Sequence, residues 1–244
     1  MNIALFGGTF DPIHSGHLRA ARAAARRLQL DRVLFIPSRR PPHKISNHLT
    51  DFPHRYAMVA LACAGEPRFI PSLLEAPTSD GSPRYSVYTA RAVKHTLGPK
   101  DRLFFLIGVD ALLDLQHWRD YRDLLNLVNF VVVTRPGFDA HKIWEVLPGD
   151  MTAPDHRPGQ TVASLSTEGQ SSLREAGNLR KSETLQLPQT VLHILSGVHA
   201  PIASRDIRQA VFAGRPIHGL VPVLVAKYIA KERLYRRKAE SRRQ

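Results

Sequence analysis

The chain has 244 residues, of which 43% are hydrophobic, and a formal net charge of +13 at pH 7. This length suffices for one domain with a well-buried core, and the hydrophobic content is that of a soluble globular protein. A single cysteine excludes an internal disulfide and is typical of a reducing cytoplasm, and no apolar stretch has the length of a signal peptide or approaches the ~20 residues of a membrane span.

The first forty residues alternate between strand and helix patterns. The apolar run at residues 2–6 predicts a strand, the apolar side chains spaced along residues 18–28 predict one face of a helix, and residues 33–36 predict a second strand. A strand, a helix and a strand in this order indicate a β-α-β unit and therefore a parallel sheet.

The turn between the first strand and the first helix has the composition of an anion site. Gly7 and Gly8 carry no Cβ, so the backbone can turn tightly and approach a ligand. The free N–H groups at the start of the following helix favour negative charge. His14 and His17 are three residues apart, on one helical face, and can both donate to one phosphoryl group. The segment predicts a phosphate site.

Two other interpretations of this turn are open. A strand, two glycines and a helix also occur in turns with a purely structural role, although such a turn would not require two histidines and Thr9 together. The histidine pair could be half of a zinc site, which needs further ligands nearby. Because the only cysteine is Cys63, in a predicted apolar helix, and the other histidines are scattered, we expect no metal held by protein side chains.

The same alternation continues beyond the first unit. It predicts helices at 53–64, 87–96, 204–212 and 221–237 and strands at 69–72, 103–107 and 191–195. The predicted fold class is α/β, a Rossmann-like doubly wound parallel sheet with helices on both faces. Loops that leave the carboxyl ends of such strands form the ligand crevice, and Gly8, Lys44, Asp110 and Arg135 each follow a predicted strand.

Two segments depart from the alternation. Residues 149–188 mix prolines and glycines with polar side chains, which predicts a disordered surface insertion within a single domain spanning 1–244. From about residue 236 the chain is a basic tail. A solvated helix end is favoured over a nucleic-acid arm, because no RNA-binding motif or zinc knuckle accompanies it.

The stretch from Gly7 to His17 reads GGTFDPIHSGH. It resembles the phosphate-binding signature of the nucleotidyltransferase superfamily, whose glycine turn and His-x-x-His pair bind ATP. The doubled glycine followed by Thr-Phe-Asp-Pro-x-His is most similar to the nicotinate-nucleotide adenylyltransferase family. Further similarity at residues 42–44, 85–89, 106–118 and 131–137 extends the resemblance over most of residues 1–148.

This resemblance implies the site residues. The catalytic pair is His14 and His17, which hold the α- and β-phosphates and oppose charge as it develops. The implied ATP contacts are Gly8, Thr9, His14, His17, Lys44, Gly108, Asp110, Ser204 and Arg208, with Mg²⁺ arriving together with ATP. The implied contacts to the mononucleotide are Thr89, Trp118 and Arg135. Rival interpretations stay open: a helix cap for Asp110, a solvated charge for Lys44 and a core side chain for Trp118.

The chain departs from the family near its C-terminus. There the family shows Ser-x-Thr-x-x-Arg at the start of a helix, and the matching residues 203–208 read ASRDIR. Only Arg208 is kept, Ser204 is displaced by one position, and Arg205 adds a cation close by.

The activity implied is adenylyl transfer from ATP to nicotinate mononucleotide, which yields deamido-NAD and pyrophosphate. Two alternatives remain: an adenylyltransferase of the superfamily that uses nicotinamide mononucleotide or phosphopantetheine, and a relative that has lost catalysis and binds nucleic acid. The expected partners are therefore ATP and nicotinate mononucleotide, in the cytoplasm and away from membranes. Nucleic acid is disfavoured, and a homo-oligomer is left open.

Overall fold

The computed structural model describes residues 1–39, 49–79, 84–134, 138, 142–151, 183–198 and 201–236. Its strands are β1 (Asn2–Gly8), β2 (Arg32–Pro37), β3 (Phe69–Pro71), β4 (Arg102–Gly108), β5 (Asn129–Val133), β6 (Glu183–Gln186) and β7 (Val191–Leu195). Its helices are α1 (Ser15–Arg27), α2 (Phe52–Cys63), α3 (Ser86–His95), α4 (Val109–Leu113), α5 (Tyr121–Leu127), α6 (Lys142–Val146), α7 (Ser204–Phe212) and α8 (Val223–Lys231).

The chain divides into two compact units, Met1–Arg84 with Ala200–Gln244, and Tyr85–His199. In the first unit the strand order is β3-β2-β1, with parallel pairing throughout. In the second the order is β4-β5-β7-β6, where only β6 and β7 pair antiparallel. Mostly parallel strands that alternate with helices confirm the predicted α/β class. A single domain over residues 1–244 stays a prediction.

Aromatic rings and small side chains form the core of the first unit. Phe6 and Phe35 lie 5.2 Å apart between ring centroids, and Phe35 lies 5.1 Å from Phe69, so one line of rings crosses three adjacent strands. On α1 the buried face is built mainly of alanines, including Ala21 and Ala24, both 0% exposed. These small side chains allow the helix to pack closely against its neighbours.

The core of the second unit is centred on β4. Residues 103–107 are all buried, with no polar residue among them. An uninterrupted apolar run is what a parallel strand covered on both faces requires, because neither face meets water. Phe105 packs against Phe130 of β5 with ring centroids 5.8 Å apart. The predicted strand at 103–107 is therefore confirmed.

Two predicted boundaries differ from the structure. The first strand continues past residue 6 to Gly8, so Gly8 lies in β1 rather than after it. The last helix is shorter than the predicted 221–237, because Pro222 precedes its first turn and Arg233 and Tyr235 have left-handed φ angles of 52° and 61°. A left-handed residue cannot continue a right-handed helix.

The predicted disordered insertion is too long at both ends. Residues Gly149–Met151 form a turn of 3-10 helix, and β6 pairs with β7 through a tight hairpin in which the Leu187 N–H donates to Thr190 O. Leu185 of β6 and Leu187, just after it, are 4% and 2% exposed, so two leucines anchor this edge of the sheet in a segment whose overall composition is polar. Residues 152–182 of the insertion and 237–244 of the basic tail lie outside the described residues.

Among the described residues, none of the helices combines the length and the hydropathy that a membrane-spanning helix needs.

Candidate functional site

The loop between β1 and α1 is tightly folded around one aromatic ring. Phe10 has a left-handed φ of 48° and is only 2% exposed. Its ring lies so close to Gly8 that a Cβ there would be 3.0 Å from two ring carbons. A Cβ at residue 8 would therefore force the Phe10 ring to move by a few tenths of an ångström, a steric reason for glycine that adds to the phosphate-binding role predicted for it.

The histidine pair closes a capping box at the start of α1. His14 is the N-cap residue, and its Nδ1 accepts from the His17 N–H at 3.4 Å, while His17 Nδ1 accepts from the His14 N–H at 3.2 Å. The usual residues at these two positions are Ser or Thr and Glu or Gln. Because both Nδ1 atoms accept, each neutral ring carries its proton on Nε2, so the pair presents two Nε2–H donors.

The two rings are neutral at pH 7. They stack with centroids 3.6 Å apart and planes inclined by 24°, an arrangement that two positive charges would oppose. Burial lowers the pKa of His14 to about 4. Burial, with a smaller contribution from His14, lowers the pKa of His17 well below 6.5. An anion next to the rings would favour their charged form and offset this cost of desolvation.

A buried arginine that was not predicted from the sequence is hydrogen-bonded to the loop between β1 and α1. Arg55 of α2 is 1% exposed and donates to four carbonyl oxygens: Thr9 O at 2.8 Å, Ser38 O at 2.7 Å, Thr50 O at 2.8 Å and Arg39 O at 3.0 Å. The sequence held one signal for it, a charged residue in a mostly apolar helix. Arginine is rarely fully buried unless it is paired, so such a position indicates hydrogen-bond partners in the core.

Residues from the C-terminal part of the first unit reach the same loop. Arg208 Nη1 donates to Asp11 O at 2.6 Å, and Ser204 Oγ donates to Pro12 O at 2.9 Å. The Tyr235 hydroxyl donates to Asp11 Oδ1 at 2.6 Å. The structure thus places the predicted residues Ser204 and Arg208 at the loop between β1 and α1. It also places Asp11 and Tyr235 there, which were not predicted as site residues.

The second unit contains the other described candidates. Gly108 is the N-cap residue of α4 and Asp110 lies in its first turn, so the interpretation of Asp110 as the N-cap residue is wrong. Thr89 is buried, with its hydroxyl 3.5 Å from Tyr85 O. Trp118 packs edge-to-face on Phe105 at 6.0 Å and is partly exposed, so one part of the ring is core and another part is accessible.

An aromatic and cationic cluster beside Thr89 also escaped the sequence analysis. The rings of Tyr85 and Tyr88 meet edge-to-face at 5.8 Å, and the Arg119 guanidinium lies 6.0 Å from the Tyr85 ring centroid. A guanidinium at this distance from a ring face is attracted by the ring quadrupole. Lys44 and Arg135, two further predicted site residues, lie outside the described residues.

The described residues contain no group of three or more His, Cys, Asp or Glu side chains that could hold a metal ion. The buried carboxylate of this loop, Asp11, already accepts a hydrogen bond at each oxygen, from Tyr235 and from the Thr50 N–H at 3.3 Å. Mg²⁺ commonly binds through substrate phosphates and water with few protein ligands, which is compatible with such a surrounding.

Residues 5–210 match the family described as cytidylyltransferase-like. A relative from Thermoanaerobacter sp. (strain X514), named "Probable nicotinate-nucleotide adenylyltransferase", is 34% identical over 99% of this chain and 97% of its own. One of the same name from Solibacter usitatus is 48% identical over 56% of this chain and 71% of its own. The chain belongs to the nicotinate-nucleotide adenylyltransferase family. The resemblance inferred from GGTFDPIHSGH is confirmed.

The fold of this family is also found among solved structures. The Plasmodium falciparum nicotinic acid mononucleotide adenylyltransferase complexed with NaAD aligns with a TM-score of 0.64 and 17% identity, over 96% of this chain and 97% of the other. The same enzyme complexed with APC aligns with a TM-score of 0.63. At this level of identity the likeness shows a common α/β fold.

Proposed function

We propose that this protein transfers the adenylyl group of ATP to nicotinate mononucleotide, giving deamido-NAD and pyrophosphate in NAD biosynthesis. The observation that carries the proposal is the pair of Nε2–H donors of His14 and His17, fixed by reciprocal capping at the end of the loop between β1 and α1. Two relatives whose names state this activity align with 99% and 96% of this chain.

The chemistry needs charge stabilisation more than proton transfer. The phosphate of the mononucleotide is already an anion at neutral pH, so one of its oxygens can attack the α-phosphorus of ATP without a general base. The bond between the α-phosphorus and its bridging oxygen breaks, and pyrophosphate leaves. Catalysis then depends on positioning and on donors aimed at the phosphoryl oxygens.

The first unit supplies the donors for the phosphates. His14 and His17 donate to α- and β-phosphate oxygens, where they oppose the charge that develops. The Gly8 amide and the Thr9 hydroxyl orient the same groups. The β- and γ-phosphates are bound by Lys44, Ser204 and Arg208. Arg208 uses one donor for Asp11 O and retains others on its planar guanidinium.

Enzymes of this kind usually work with a divalent cation, and we propose Mg²⁺ bound to ATP. It supplies positive charge to the phosphate oxygens that bind it. The described residues offer no cluster of carboxylates for the ion, so ATP phosphate oxygens and water would supply most of its ligands.

In the second unit, Gly108 and Asp110 border the adenosine, and Thr89, Trp118 and Arg135 contact the mononucleotide. The partial exposure of Trp118 supports this assignment, because the ring has an accessible part beside its edge contact with Phe105. A flat pyridine ring suits an offset contact with such an indole.

Two further properties belong to the proposal. Cys63 is buried, and burial raises the pKa of its thiol to about 12, which disfavours the thiolate. The proposed place of work is the cytoplasm, because a chain with one cysteine suits a reducing compartment. A homo-oligomer stays a prediction that light scattering of the purified protein would test.

The decisive experiment measures pyrophosphate release from ATP and Mg²⁺ with three acceptors: nicotinate mononucleotide, nicotinamide mononucleotide and phosphopantetheine. We expect turnover with the first. Turnover with only one of the other two would move the assignment to a different adenylyltransferase. No pyrophosphate release with any of the three, together with retardation of single-stranded RNA in a gel, would favour the nucleic-acid-binding alternative.

A further inference from the structure

The C-terminal end of the described chain is hydrogen-bonded to the loop between β1 and α1. Asp11 is 3% exposed, and its Oδ1 accepts from the Tyr235 hydroxyl at 2.6 Å while its Oδ2 accepts from the Thr50 N–H at 3.3 Å. The carboxylate is thus held between two donors that lie far apart in sequence. Hydrogen bonds to an ionised acceptor are about twice as strong as those between neutral groups.

The backbone of Tyr235 is held in a conformation that a bulky residue rarely adopts. Its φ is 61°, in the left-handed region, and it follows α8 by a short turn in which Arg233 is also left-handed at 52°. Such a conformation persists only when surrounding contacts fix it. The bond to Asp11 is such a contact. Burial raises the pKa of the Tyr235 phenol far above its usual value, so the hydroxyl keeps its proton and donates.

Three side chains donate hydrogen bonds to carbonyl oxygens of this loop. Arg55 binds Thr9 O, Arg208 binds Asp11 O and Ser204 binds Pro12 O. A carbonyl oxygen is the negative end of a peptide dipole and would repel a phosphate that it faced. Because C=O and N–H point in opposite directions across a trans peptide, the hydrogen bond from Arg55 to Thr9 O also turns the Phe10 N–H away from Arg55.

We infer that Tyr235 is a positioning residue for adenylyl transfer, whose hydroxyl holds Asp11 and thereby keeps the loop at residues 9–13 in the shape that binds phosphate. Tyr235 acts through Asp11 and does not touch the substrate. This inference rests on the proposed function, since it concerns the same loop.

The test is Tyr235→Phe, which removes one oxygen and leaves the ring in place. We expect kcat/KM for ATP to fall by about tenfold or more, because small displacements of groups that position a reactant cost ~10²-fold in rate. The KM for nicotinate mononucleotide should stay unchanged. The matched control is Tyr228→Phe on α8, whose hydroxyl lies 2.9 Å from His54 Nδ1 rather than at Asp11. This control should keep the wild-type kcat/KM.

A double-mutant cycle with Asp11→Asn separates this role from simple packing. If Tyr235 acts through Asp11, the double variant Tyr235→Phe/Asp11→Asn loses little more than the more impaired single variant. Losses that multiply would overturn the inference, as would a normal kcat/KM in Tyr235→Phe or equal damage in Tyr228→Phe.

Binding of a non-hydrolysable ATP analogue, measured by calorimetry, keeps the two proposals distinguishable. Wild-type protein that binds the analogue but has no turnover with nicotinate mononucleotide would contradict the proposed acceptor alone. In that case, weaker analogue binding by Tyr235→Phe than by Tyr228→Phe would still support the role of Tyr235, and equal binding would overturn it.

Discussion

His17 shows how one side chain can serve both the helix and the chemistry. Its Nδ1 accepts the His14 N–H and so caps α1, which leaves the proton of the neutral ring on Nε2. The same residue is proposed to donate this proton to a phosphoryl oxygen. A substitution that keeps the cap but removes the donor would separate the two contributions.

Glutamate provides that separation, because it is a usual partner at this position of a capping box and its ionised carboxylate has no donor. We expect His17→Glu to lower kcat by at least ~10²- to 10³-fold, the typical effect of removing one donor at a developing charge. Its unfolding free energy should stay close to that of the wild type. His17→Ala should lower kcat by ~10²- to 10³-fold and also lose about 1 kcal/mol of stability with the cap. A folded His17→Glu variant with normal turnover would contradict the assignment of His17.

His14 should make stability fall in mild acid. Its pKa is lowered to about 4 in the folded protein from an ordinary 6.5, so above pH 6.5 the ring is neutral in both states and has no effect. As the pH falls from 6.5 towards 4, the unfolded chain binds a proton that the folded protein does not. The folded state should therefore lose up to about 3 kcal/mol, at 1.36 kcal/mol per pKa unit.

His14→Asn tests this, because asparagine also serves as an N-cap residue but does not titrate. Urea unfolding at pH 7.5 and pH 4.5 should show a smaller loss for His14→Asn than for the wild type. His95→Asn, at an exposed position, is the control and should follow the wild type. Parallel losses in all three proteins would show that burial of His14 does not set this pH dependence.

At the scale of elements, the junction of β1 with α1 depends on how closely Gly8 approaches Phe10. The Phe10 ring contacts Phe6 at 5.6 Å and His17 at 5.0 Å between centroids, so it has little room to retreat. A side chain at residue 8 would therefore push on the histidine pair through this ring.

We expect Gly8→Ala to cost ~1–3 kcal/mol through overpacking. Activity should fall further than stability explains, by about tenfold or more in kcat/KM for ATP, since displaced donors lose their geometry. Gly65→Ala is the matched control, because a Cβ there would meet nothing within 4 Å. Phe10→Leu added to Gly8→Ala should restore part of the activity. A fully active Gly8→Ala variant would refute the coupling.

At the scale of the whole molecule, acceptor choice distinguishes this protein from others that share its ATP chemistry. Nicotinate carries a carboxylate where nicotinamide carries an amide, so a selective pocket must present donors without acceptors around that group. We therefore expect a higher kcat/KM for nicotinate mononucleotide than for its amide, measured by pyrophosphate release. Equal use of both would indicate a dual-specificity enzyme.

In the same assay, Trp118→Ala should raise the KM for nicotinate mononucleotide by about two- to tenfold more than the KM for ATP, since loss of a stacked aromatic is worth ~0.5–1.5 kcal/mol beyond the area it buries. Trp118→Phe should recover part of this effect, because it retains a flat ring. An unchanged KM in a folded Trp118→Ala variant would assign the ring to packing on Phe105 alone.

Local patterns in the sequence determined the elements and the identity of the loop. The run at residues 103–107 predicted a buried parallel strand, and GGTFDPIHSGH predicted the phosphate-type turn with its histidine pair, because these signals come from neighbours along the chain. The prediction of disorder was wrong near residue 185 for the same reason, since the polar residues around it outweighed two buried leucines, Leu185 in β6 and Leu187 just after it.

Only the tertiary structure decided what holds the loop. Arg55 binds Thr9 O across 46 residues, and Tyr235 binds Asp11 across 224. No periodicity or motif reports contacts at such separations, because the partners become neighbours only when the helices pack on the strands. The same holds for the two neutral rings: the sequence placed both histidines on one face, and burial in the folded protein then lowered their pKa values.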